Sequence, residues 1–136
     1  MIPYATTTRT RRNVAALRAA GWRLLLSPDI HTLHDGFQYG LDNGAWGAHQ
    51  SGRPWDADKF RELVLRYGAD ADWVIVPDVV GDSLASLART KEWLPFCLDH
   101  CPRVLVALQD GMAPRMVHPL PITGRIGFRA GNNGQM

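Results

Sequence analysis

Trp73-Val74-Ile75-Val76-Pro77-Asp78 is the stretch on which the fold turns. Four apolar residues, closed by a proline and an acid, read as a buried strand ending in a polar group. Gly81-Asp82-Ser83 follows as a helix start, and Leu84, Leu87, Lys91 and Leu94 keep helical spacing until Pro95. Beyond that helix, Arg103 to Leu108 forms another apolar run, ending at Gln109-Asp110-Gly111. A strand, a helix and a strand in this order predict parallel pairing through a right-handed crossover.

The pattern extends in both directions. Upstream, Pro54 to Asp58 opens a helix through Phe60, Leu63, Val64 and Tyr67, stopped by Gly68. Before it, Phe37-Gln38-Tyr39-Gly40-Leu41 reads as a strand closed by Asp42-Asn43-Gly44, with the segment after it in a loop. Trp22 to Ser27 reads as a strand ending at Pro28-Asp29. Thr8 or Thr10 caps a first helix running to about Ala20, with Val14 and Leu17 inward and Gly21 as its stop. Downstream, a Pro-punctuated connection leads to a weaker strand from Gly124 to Phe128, and Gly-Asn-Asn-Gly-Gln-Met closes the chain with turn chemistry. The fold class is therefore α/β, one domain over residues 1–136, with parallel strands alternating with helices.

In such folds ligands bind beyond the carboxyl ends of the strands, and here those ends carry Asp29, Asp42, Asp78 and Gln109. Two readings compete for them. An acid after a strand caps the next helix, which suits Asp82 and Asp56 or Asp58. It suits Asp42 and Asp78 less well, because better-placed caps follow them, so a site lining is favoured there over loop bracing. A carboxylate accepts two N–H bonds from an amidine-like edge, and a glutamine offers a donor beside an acceptor, which suits recognition of a nitrogenous base. Two carboxylates in one pocket push their proton affinities apart, which suits acid–base work. Trp46 fits equally a stacking platform for a planar ligand and a half-buried loop anchor.

Several weaker signals take bland readings. Arg9, Arg11, Arg12 and Arg18 read as a solvated helix face ahead of a phosphate-binding one. His31 and His34 have ligand-like spacing but no third and fourth ligand in view, so no metal is expected. Cys97, His100 and Cys101 close a helix and read as packing. No phosphate-binding glycine loop, nucleophile elbow or dinucleotide fingerprint is present, and no cofactor is expected. A net charge of +2 is compatible with a polyanionic partner and too small to argue for one. No apolar run approaches the ~20 residues of a membrane span, and two cysteines make no disulfide framework, so the expectation is a cytoplasmic protein with no membrane partner.

Three phrases carry a family resemblance: Leu41-Asp42-Asn43-Gly44-Ala45-Trp46, Val76-Pro77-Asp78-Val79-Val80-Gly81-Asp82 and Ala107-Leu108-Gln109-Asp110-Gly111. In this order and spacing they resemble the tRNA-guanine transglycosylase superfamily, nearest its DpdA-like branch, which is linked to 7-deazaguanine modification of DNA. The resemblance covers about residues 4–112 and implies the first half of a (β/α)8 (TIM) barrel. It implies exchange of guanine for a 7-deazaguanine in tRNA or DNA. Under it, Asp42 is the general acid/base, while Asp78 and Gln109 hold the base. Gly131 is the one match to a glycine pair that faces the base in the family. Trp46 joins the substrate-binding set. The family's nucleophilic aspartate lies on a later strand and has no counterpart here, nor has the zinc site of the tRNA enzymes. The chain thus reads as the first half of such a barrel, from a truncated or frameshifted frame, expected to pair as a homodimer or with a complementary half barrel. The alternatives are a non-catalytic purine- or nucleic-acid-binding module and an inactive remnant.

Overall fold

The computed structural model of the chain describes residues 1–117, 119–120 and 124–127. Among the described residues six strands form one sheet in the order of the sequence: β1 (Tyr4–Thr6), β2 (Arg23–Leu26), β3 (Tyr39–Leu41), β4 (Val74–Val76), β5 (Val104–Leu108) and β6 (Gly124–Gly127). Every neighbouring pair is parallel. Between them run α1 (Arg11–Ala20), α2 (Ala45–Gln50), α3 (Ala57–Tyr67), α4 (Ser83–His100) and α5 (Pro114–Val117).

An unbroken strand order with crossovers of one hand places successive helices on one side of the sheet. The packing agrees. Leu24, Leu26, Tyr39, Leu41, Val74, Val76, Val104 and Val106 alternate onto one face and share a single apolar cluster with Phe60, Leu63 and Val64 of α3 and Trp93, Leu94 and Cys97 of α4. Leu17 of α1 and Met116 of α5 pack against the same cluster.

The opposite face carries Tyr4, Leu25, Gly40, Trp73 and Ile75, which the registers bring to the same side. There the Tyr4 and Trp73 ring centroids lie 4.9 Å apart, and the Tyr4 hydroxyl donates to Asp72 at 2.8 Å. In a flat sheet, β1 and β4 would stand roughly 14 Å apart, three strand spacings. The sheet therefore curls toward the face that the helices leave free. Gly40 makes room for this: a Cβ there would sit 2.5 Å from the Trp73 ring. Arg23 also reaches Asp72, at 3.0 Å, so β1, β2 and the start of β4 are tied together at the amino ends of the strands.

Three sequence expectations need correction. The sheet begins one strand earlier than the sequence suggests, because Tyr4–Thr6 pairs along β2 although its three residues form no apolar run. The segment after Gly44 is the short helix α2, where a loop was expected. Helix α4 runs through Pro95 to His100. A proline inside a helix costs ~3 kcal/mol, but burial of Trp93, Leu94 and Cys97 on either side contributes ~1.5–3 kcal/mol for each large side chain and outweighs it. Asp56 and Asp82 accept from the backbone N–H groups of Lys59 and Ala85, and Gly21 ends α1 in the left-handed region, as expected; Thr10 holds the N-cap position of α1 but its side chain makes no capping bond. No helix among the described residues is long and apolar enough to cross a membrane.

Candidate active site at the carboxyl ends of the strands

The carboxyl ends of β3, β4 and β5 deliver Asn43, Asp78 and Gln109 to one another. Asn43 Nδ2 donates to Asp78 Oδ1 at 2.7 Å, and Gln109 Nε2 donates to Asp78 Oδ2 at 2.6 Å. All three side chains are buried, Asp78 at 5% and Gln109 at 9% exposure.

Backbone groups fix which way each amide points. Asn43 Nδ2 also donates to the Val76 carbonyl, and its Oδ1 accepts from the Ala45 N–H. Gln109 Oε1 accepts from the Gly81 N–H. Turning either amide over would set donor against donor at the Ala45 or Gly81 N–H, and at Asn43 also acceptor against acceptor at the Val76 carbonyl. Both oxygens of Asp78 therefore face N–H groups, an arrangement that suits a carboxylate and opposes a neutral acid. Burial pushes Asp78 above the ordinary carboxylate range. The Asn43 amide, its own backbone N–H, the Arg89 cation and the Gln109 amide all pull the other way.

The loop that carries Asp78 is pinned by one side of α4. Ser86 Oγ donates to the Val79 carbonyl at 2.6 Å and accepts from the Val79 N–H at 2.8 Å. Arg89 donates to the Asp78 carbonyl at 3.2 Å, and Thr90 Oγ1 to the Pro77 carbonyl at 3.1 Å. Arg89 also lies over the Trp55 ring, 4.8 Å from its centroid, while Trp55 Nε1 donates to the Asn43 carbonyl. The site is thus braced from α4 and from the segment before α3.

Asp42 directly follows Leu41, the last residue of β3, and its N–H donates to the Leu26 carbonyl. Gly44, at φ +80°, turns the chain there. Burial raises Asp42 above the usual range, the backbone N–H groups of Gly44 and Asn43 oppose this, and the nearby Asp78 charge adds to the rise. Burial thus raises both acids, with side-chain amides opposing the rise at Asp78 and backbone N–H groups opposing it at Asp42.

Between the ordinary carboxylate value and the raised native value, the folded state binds more protons, so stability falls as pH rises through that window. Asp42→Asn, which keeps an acceptor for the backbone N–H groups, should raise the melting temperature at pH 7 by about 3 °C for each ~1 kcal/mol recovered. The gain should vanish below the ordinary carboxylate range. Thermal unfolding of wild type and variant at pH 7 and pH 3.5 checks this, and a gain equal at both pH values would contradict it.

The remaining strand-end and loop residues lie elsewhere. Asp29 is bound by both terminal nitrogens of Arg53 and, at 3.4 Å, by Lys59, and the Arg53 contact holds its carboxyl below the usual range. It braces the loop after β2. Trp46 stands on the short helix α2 and not in a loop, 49% exposed, with its ring 5.8 Å from His49. Gly131 lies outside the described residues. His34 Nε2 bonds to the Thr8 carbonyl, and no group of three potential metal ligands gathers among the described residues. Cys97 and Cys101 are buried, their thiols pushed up to about 12 by burial, and they pack. Arg18 donates to the Asp35 carbonyl and covers Phe37, while Arg9, Arg11 and Arg12 are exposed.

Asn43 is the site residue that the sequence reading passed over. Between an aspartate and a glycine it looks like turn chemistry, and only its 2% exposure shows otherwise. The polar side chains at Ser86, Arg89 and Thr90, spaced i, i+3 and i+4, were the available signal for the α4 brace. Compared with known protein families, with curated proteins and with solved structures, the chain matches none.

Proposed function

We propose that the chain is the guanine-reading part of a base-exchange transglycosylase of the tRNA-guanine transglycosylase type. Its sheet would form the early strands of a (β/α)8 barrel. Sequential parallel strands, helices gathered on one face and a sheet curled until β1 touches the start of β4 all support the barrel reading. The observation that carries the site reading is the convergence of β3, β4 and β5 on Asp78, with its two oxygens fixed by Asn43 and Gln109.

In this reading the unused lone pairs of Asp78 accept the N1–H and 2-amino donors of a guanine or 7-deazaguanine. Gln109 adds a contact through its remaining N–H, and the exposed Trp46 offers a ring to a nucleotide outside the pocket. Asp42 gives its proton to the departing base, which leaves with the electron pair of the glycosidic bond. It then takes a proton from the incoming base as that base joins C1′. The acceptor is a nucleotide in tRNA or DNA, single-stranded or swung out of a duplex. The carboxylate that holds C1′ between the two half-reactions has no candidate among the described strand ends, so a homodimer or a complementary half barrel is the proposed source of the missing part.

A second reading rests on the 5% exposure of Asp78: the three-residue cluster would only brace loops, leaving a fold without ligand. Binding decides between them. Calorimetric titration with 7-deazaguanine should give saturable binding to wild type. Asp78→Ala, which removes the acceptor and leaves two amides unpaired, should weaken it about tenfold or more, the equivalent of ~1–3 kcal/mol. Absent binding to a folded wild type favours the bracing reading.

A further inference from the structure

We propose that Asn43 is the positioning residue that divides the two acids, holding Asp78 as the charged carboxylate and leaving Asp42 as the proton carrier. The inference deepens the base-reading site above and rests on that reading for its role in binding. Asn43 acts on both acids. Its backbone N–H supports the Asp42 carboxylate, and its side-chain amide donates to Asp78 Oδ1. The Val76 carbonyl and the Ala45 N–H lock that amide so that only its NH2 can face Asp78. A donor that cannot turn into an acceptor stabilises one protonation state of its neighbour, the ionised one.

The charged groups around the pair are few. Asp78 faces Asp42 from the end of β3 and Arg89 from α4, with the neutral Asn43 and Gln109 completing its surroundings, while Asp42 faces Asp78. Of these, Arg89 donates to the Asp78 backbone carbonyl, not to its carboxyl. The amide at position 43 is the group whose chemistry decides the order in which the two acids titrate.

Asn43→Asp tests this with almost no change of shape. One oxygen of the new carboxyl can still accept from the Ala45 N–H. The other would face the Val76 carbonyl and Asp78 Oδ1, both acceptors, and can do so only as a protonated hydroxyl. Carboxyl NMR titration without any ligand reads the outcome apart from the function proposal. In wild type, Asp42 should titrate above Asp78, and in Asn43→Asp an additional carboxyl should titrate well above the ordinary range. With 7-deazaguanine as the probe, the variant should bind within about threefold of wild type at pH 5 and at least about tenfold more weakly than wild type at pH 8. Asn43→Ala, if it folds, should bring the two wild-type midpoints together or reverse them. Asp78 titrating above Asp42 in wild type, or Asn43→Asp leaving the carboxyl titrations unchanged, would overturn the inference. Failure of 7-deazaguanine to bind wild type at all would instead count against the function proposal and leave the ligand-free titration to decide this one.

Discussion

Incubated with tRNA or DNA and labelled guanine, the 136-residue chain should incorporate no label above an Asp42→Ala control. Displacing a base from C1′ requires a nucleophile on the side of the sugar away from the leaving group. Asp42, Asp78 and Gln109 gather on the base side in the proposed pose. Asp29, the remaining acid that closes a strand in the sequence reading, is held in a two-pronged pair with Arg53 and by Lys59. A carboxylate so engaged, with its proton affinity depressed, is a poor nucleophile. Asp82 is committed to capping α4. Removing the nucleophile of a covalent mechanism costs many orders of magnitude in rate even when binding survives. Incorporation well above the control would show a nucleophile within this chain and displace the assignment of roles.

The second large effect is expected at Gly40→Ala. The added methyl would meet the Trp73 ring at 2.5 Å, and the Tyr4 ring packs against that same ring. Trp73 must move, and the contact between β1 and the start of β4 moves with it. Overpacking of this kind costs ~1–3 kcal/mol, which corresponds to a fall of several degrees in melting temperature for a domain of this size. Trimming the ring in Gly40→Ala/Trp73→Leu should restore part of the loss. A Gly40→Ala protein as stable as wild type would mean that the concave face is looser than the Tyr4–Trp73 contact implies, and the barrel proposal would lose a main support.

Much of the architecture was legible because its signals are local. Trp73 to Val76 and Arg103 to Leu108 are read as runs closed by polar groups, and they hold the strands Val74–Val76 and Val104–Leu108. Asp56 and Asp82 announce their helices by position and cap them in fact. What escaped depends on partners distant in sequence. Tyr4–Thr6 is a strand because β2 offers it an edge, a property that its three residues do not encode alone. Helix α2, with Gly47 in its middle, has weak helical preference and is held by Ala45 and Ala48 packing inward. The continuation of α4 through Pro95 is decided by burial around it.

The candidate site divides in the same way. Asp42, Asp78 and Gln109 stood out as polar groups at strand ends, and the fold brings Gln109 and Asp78 into contact across 31 positions of sequence. The role of Asn43 arises only when β3 lies beside β4 and the Val76 carbonyl becomes its second acceptor. Asp29 had the same sequence signal as Asp42 and a different fate, because Arg53 and Lys59 come within reach of it from the segments around α3.

The central claim is that Asp78 reads a donor edge, and guanine against adenine tests it most directly. Guanine turns two adjacent N–H donors toward a carboxylate, whereas adenine offers one donor beside the lone pair of its N1. With both oxygens of Asp78 already fixed by amide donors, an acceptor facing it would find no proton to share. Calorimetric titration of both bases into one preparation at pH 7 should give a Kd for guanine at least about tenfold lower than for adenine, a difference of ~1.4 kcal/mol or more. Equal affinities, or binding of adenine alone, would contradict the account.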